Sequence, residues 1–91
     1  MAPYWPMSKS AEKIWAGLQH SLHNVRFGDF CRVIEWFSFV QKGGKGSHYT
    51  YLHKDVHDII DVQSFGGEAK PYQIRQFIRL VERYKLRGGS K

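Results

Sequence analysis

Ninety-one residues, 42% hydrophobic and 15% aromatic, are enough for one folded domain with a single core and no second one. Fourteen Lys and Arg against eight Asp and Glu give a formal charge of +6, and the pI near 9.7 favours a polyanionic partner such as nucleic acid or an acidic protein. Cys31 is the single cysteine, which excludes an internal disulfide and a thiolate zinc cluster; no apolar run approaches the ~18 residues of a membrane span and the start lacks secretion-signal regions, so a soluble cytoplasmic protein is expected.

Residues 1 to 8 carry two of the three prolines and are expected to form a flexible arm. From Ser10, a natural N-cap, the residues Ala11, Ile14, Trp15, Leu18 and Leu22 fall at helical spacing and predict a short amphipathic helix over about 10 to 20, packed on its own domain. His20 and His23, at its end, sit where a cation is favourable and need no further role. A second helix follows, with Asn24 as a candidate cap. Phe27, Phe30, Cys31, Ile34 and Phe37 trace one face, and Arg26, Asp29, Arg32 and Glu35 the other. That aromatic stripe reads as ordinary core rather than a cofactor box. Phe37-Ser38-Phe39 ends the helix.

Three segments with strand character come next: Phe39 to Lys42, Ser47 to His53 and Ile59 to Gln63. The first loop is glycine-rich, and the second, 54 to 58, is long enough for a hairpin connection. Period-two geometry puts His48, Thr50 and Leu52 on one face and Tyr49, Tyr51 and His53 on the other; the pattern leaves open which face is buried. After the turn-rich Ser64-Phe65-Gly66-Gly67, Lys70-Pro71 opens a last helix with proline where its missing N–H matters least. Ile74, Phe77, Ile78, Val81 and Tyr84 form its buried stripe, and Arg75, Arg79 and Arg83 recur every four residues roughly opposite. Residues 87 to 91 are expected to be disordered. The order helix, helix, three strands, helix predicts an α+β domain with helices on one face of a small antiparallel three-stranded sheet.

The chemistry concentrates in Gly43-Gly44-Lys45-Gly46-Ser47-His48. Glycines let backbone approach a ligand, lysine supplies a point charge, and histidine titrates nearest neutrality, a combination suited to a phosphate and a proton transfer. The same histidine also reads as a polar residue at a sheet edge, and Lys45 as a solvated loop lysine. Ser47 lacks a nucleophile-elbow pattern or an evident acidic partner for a triad. His53, Asp55, His57 and Asp58 cluster in sequence, but in and beside a turn rather than at helical spacing, so no metal or other cofactor is expected. The row Arg75, Arg79, Arg83 reads as a phosphate-binding or acidic-partner surface, or as a solvated helix face.

Three segments in order carry a resemblance: Asn24-Val25-Arg26-Phe27 opening a helix, Lys45-Gly46-Ser47-His48 leading a strand, and Gly66-Gly67-Glu68-Ala69-Lys70-Pro71-Tyr72-Gln73 opening the final helix. The chain resembles the HicA-type toxins, small ribonucleases of bacterial toxin–antitoxin pairs, over about residues 24 to 86. The resemblance implies a fold like the double-stranded-RNA-binding domain (α-β-β-β-α), messenger RNA as target, the strand histidine His48 as catalytic residue, and a HicB-type antitoxin as inhibitor. Lys45, Gly46 and Ser47 match the same motif and become its neighbours. Two departures stand out: Ser38 where the family usually has glycine, and Gly43-Gly44 in place of bulkier first-strand residues, a pair that weakens that strand.

On this reading residues 1 to 23 are an arm with a short helix, 24 to 86 the ribonuclease domain and 87 to 91 a tail. RNA is cut without metal when a base takes the 2′-OH proton and an acid protonates the leaving 5′-oxygen, and His48, with a reference pKa of about 6.5, suits either role. Lys45 with the N–H groups of Gly46 and Ser47 stabilises the charge that builds on the phosphoryl oxygens, and the second proton carrier is Tyr49, Tyr51, His53 or water. The rivals are a non-catalytic RNA- or DNA-binding module of the same fold and a protein-interaction domain engaging an acidic partner.

Overall fold

Residues 10–89, the described part of a computed structural model, form six elements: α1 (Ala11–Leu18), α2 (Phe27–Trp36), β1 (Val40–Lys45), β2 (His48–His53), β3 (Val56–Gln63) and α3 (Pro71–Tyr84). The arm over residues 1 to 8 and the final Ser90 and Lys91 lie outside the described residues. The Ser10 hydroxyl caps α1 by accepting from the Lys13 N–H at 3.2 Å, as its position predicts. Ile14 and Leu18 are buried, and the Trp15 ring meets Phe37 edge-on with centroids 4.8 Å apart. So α1 packs on its own domain.

The stripe of α2 is core: Phe27, Phe30, Cys31, Ile34 and the following Phe37 are all buried. Its cap is not Asn24. Arg26 holds the N-cap position without a side-chain bond, and Asn24 sits upstream in the left-handed region at φ 59°. A distant stretch of backbone does the work instead. The Phe27 N–H donates to the Gly67 carbonyl and the Ala69 N–H to the Val25 carbonyl, both at 2.9 Å, which ties the start of α2 to the segment leading into α3. At the other end Ser38 is left-handed at φ 73°. Its N–H donates to Glu35 O and that of Phe39 to Ile34 O, the paired bonds of a Schellman stop, a position that usually takes glycine.

The sheet is antiparallel in the order β1-β2-β3. β1 runs three residues past its expected end, because Gly43 and Gly44 pair with Thr50 and Tyr49 instead of lying in a loop, which leaves only Gly46-Ser47 as the turn. The expected loop over 54 to 58 shrinks to Lys54-Asp55, and β3 starts at Val56, whose buried side chain the core holds opposite His53. Irregularities in pairing fall between Gln41 and Gly43 and between Tyr51 and His53.

α2 and α3 cover one face of the sheet, and α1 packs against α2. Tyr51 and Val62 point into that layer at 0% and 2% exposure. Phe77 of α3 is its hub, with ring centroids 5.8 Å from Phe30, 5.6 Å from Phe37 and 5.7 Å from Phe39. After α3 the chain turns back through Lys85 (φ 52°), and the Gly89 N–H donates to the Trp36 carbonyl at 2.8 Å. Arg87 to Gly89, expected as disordered tail, are therefore tied to the end of α2. No helix among the described residues is long and apolar enough to cross a membrane.

Candidate functional site

Tyr51 decides which face of β2 is open. It is fully buried, and its hydroxyl donates to Glu35 Oε2 of α2 at 2.8 Å. Alternation then turns His48, Thr50 and Leu52 to the face that no helix among the described residues covers. Directly opposed residues of antiparallel strands share a face, so the register builds this surface row by row. Lys45, His48 and Gln63 form one row, and Gly43, Thr50 and Asp61 the next. Val40 lies across from Leu52, and at this end of the sheet Val40 and Ile59 are 56% and 62% exposed.

His48 and Lys45 flank the two-residue turn and are cross-strand partners, a position that brings their Cβ atoms to about 5 Å. Both are solvent-exposed. Gly46, at φ 64°, takes the first turn position, where glycine meets no strain. Gly44 is required for a different reason: a Cβ there would lie 2.7 Å from the His48 carbonyl oxygen. The amino ends of α2 and α3 are at this same end of the sheet, since Phe27 packs on Tyr49 at 5.4 Å and the Ser64 N–H, on the way to α3, donates to Ser47 O at 2.9 Å. Helix amino ends carry partial positive charge.

The arginine row is not part of this face. Arg75, Arg79 and Arg83 are exposed, as expected, but on α3, behind the sheet. Arg75 lines a cleft with the segment from Leu18 to His23, while Arg79 and Arg83 line a groove of about 400 Å³ along the β3 edge, where Arg83 reaches Asp58 at 3.9 Å. The sequence pattern put them outside the core without saying on which side of the sheet.

Three expected proton carriers are also elsewhere. Tyr49 is half-buried against Phe27. Tyr51 is buried, and burial together with its bond to Glu35 pushes its hydroxyl pKa far up. His53 lies five residues along β2, about 17 Å away, its ring tilted against Phe39 at 4.8 Å with Nδ1 accepting from the Asp55 N–H at 3.0 Å. Behind Tyr51, burial raises the Cys31 thiol pKa, so that thiol is a core group rather than a nucleophile. Among the described residues no three His, Cys, Asp or Glu side chains gather in a way that could hold a metal ion.

A pair missed in the sequence stands on the open face. The Thr50 hydroxyl donates to Asp61 Oδ1 at 2.7 Å, next to the His48 row. A two-residue turn together with the irregularity between Tyr51 and His53 brings position 61 opposite position 50. Searches against protein-family models, curated proteins and solved structures return no match to this chain.

Proposed function

We propose that this chain is a metal-independent endoribonuclease of the HicA type, a cytoplasmic toxin that cleaves messenger RNA and is neutralised by a HicB-type antitoxin. The observation that carries the reading is the pairing of His48 with Lys45 across the Gly46-Ser47 turn, on a sheet face open to a polymer. RNA brings its own nucleophile, so a single well-exposed histidine can move the proton to or from the reacting oxygen. Lys45 and the turn N–H groups offset the charge on the phosphoryl oxygens. The positive ends of α2 and α3 and the exposed Arg26 and Lys70 add to the attraction at that end.

Two further features support it. The order from α2 to α3 is α-β-β-β-α, the order of a double-stranded-RNA-binding-domain-like fold. Ser38 holds the left-handed position that explains why the family usually has glycine there. With Tyr49, Tyr51 and His53 turned away, water is the partner in proton transfer. That same vacancy favours the second reading, a non-catalytic RNA- or DNA-binding module in which His48 and Lys45 only contact phosphate.

RNA degradation in EDTA by the purified protein and by His48→Ala, at matched folding and RNA affinity, separates the two. Toxin chemistry predicts metal-free cleavage that falls about 10² to 10⁴-fold in the variant. Equal activity in both removes His48 from catalysis, and RNA binding with no cleavage in either leaves the binding module. A small acidic protein encoded beside this chain and blocking cleavage identifies the antitoxin.

A further inference from the structure

The middle of the open sheet face carries a polar group that phosphate chemistry leaves unused. Thr50 and Asp61 oppose each other on β2 and β3, and the Thr50 hydroxyl donates to Asp61 Oδ1 at 2.7 Å. This bond orients the carboxylate and occupies one of its roughly four acceptor sites, so the others stay open to donors. On the other side of Thr50, β1 contributes Gly43, where an added Cβ would meet nothing within 4 Å. The row Gly43–Thr50–Asp61 is therefore a low floor that ends in a fixed acceptor. It lies one side-chain repeat along the strands from Lys45 and His48, about 7 Å. Exposed Val40 and Ile59 give the adjoining surface an apolar character.

A phosphate is repelled by Asp61, whereas a flat neutral group with two adjacent N–H donors fits the floor and the acceptor together. Guanine is the nucleobase with that edge: its N1–H and N2 amino group point the same way, and one carboxylate accepts from both. Adenine and cytosine set a ring acceptor beside their single amino donor, and uracil sets carbonyls on both sides of its N–H, so each turns a lone pair toward the carboxylate. We infer that Gly43, Thr50 and Asp61 form a base-reading site that selects guanine beside the phosphate held at Lys45 and His48. The inference rests on this face being the RNA surface, and it adds a base preference to it.

Titration of the ¹⁵N-labelled protein with 5′-GMP, 5′-AMP, 5′-CMP and 5′-UMP, followed through amide shifts, reads the site without cleavage. The expected result is movement of the Gly43, Thr50 and Asp61 amides, with GMP bound about tenfold more tightly than the others, as for one bidentate contact. Asp61→Asn loses that preference. Equal affinity for the four nucleotides, a preference that survives in Asp61→Asn, shifts confined to another face, or no binding at millimolar concentration overturns the site. RNA cleavage that depends on His48 but shows no guanine preference also overturns it and leaves the ribonuclease standing. An Asp61-dependent preference without cleavage supports the site and removes the ribonuclease.

Discussion

The side-chain amide of Gln73, in the orientation that matches donors to acceptors, serves both backbone polar groups of Gln63: its nitrogen then donates to the Gln63 carbonyl and its oxygen accepts from the Gln63 N–H, each at 3.2 Å. β3 is an outer strand, so α3 supplies at its end what a further strand would supply. Gln63 is also the cross-strand partner of His48. Gln73→Ala removes both bonds at a buried position and is expected to cost about 1 to 3 kcal/mol. Urea denaturation measures the loss, and faster hydrogen exchange at Gln63 locates it. Unchanged exchange there would show that the edge is held by other contacts.

The two glycines of β1 should respond in opposite ways. Gly44→Ala drives a Cβ to 2.7 Å from the His48 carbonyl oxygen at a φ of 153°, where backbone rather than a flexible side chain must give way. A loss of about 1 to 3 kcal/mol is expected, together with displacement of His48. Gly43→Ala meets open space and should leave stability within about 0.5 kcal/mol. Thermal melts of the two variants side by side test the contrast.

Ser38→Gly should stabilise the protein. Ser38 holds φ 73° at the end of α2, and a left-handed conformation costs an ordinary L-residue roughly 1 to 2 kcal/mol relative to glycine. Part of that is returned by the greater freedom of glycine in the unfolded chain. A net gain of about 0.5 to 1 kcal/mol in chemical denaturation is the expected result, and a loss would mean that the Ser38 side chain contributes more than its backbone costs.

Alkali should destabilise the fold from within. Burial and the bond to Glu35 raise Tyr51 above its ordinary value of 10.0, and burial raises Cys31 above 9.0. In both, the folded state keeps a proton that the unfolded chain releases. Their contribution is therefore complete below pH 9 and is lost as pH climbs, at up to about 1.4 kcal/mol per pH unit for each group. Denaturation midpoints between pH 8 and 11 measure this slope. Tyr51→Phe and Cys31→Ala should each flatten it, whatever their effect at neutral pH.

The helices, the count of strands, the α+β class and the grouping of Lys45 with His48 were legible in the residues alone, because those depend on local spacing and on which residues tolerate a turn. So was the separation of His48, Thr50 and Leu52 from Tyr49, Tyr51 and His53, since alternation along a strand is purely local. Which set faces water is a matter of long-range packing: Tyr51 is drawn in by Glu35 and buried in the core. The same holds for the start of α2, whose donor at Phe27 is met by Gly67, forty residues away, rather than by Asn24. Strand register depends on turn length to the residue. The short β2–β3 turn and the irregularity between Tyr51 and His53 together bring Asp61 beside Thr50, and the packing of α3 leaves the arginine row behind the sheet.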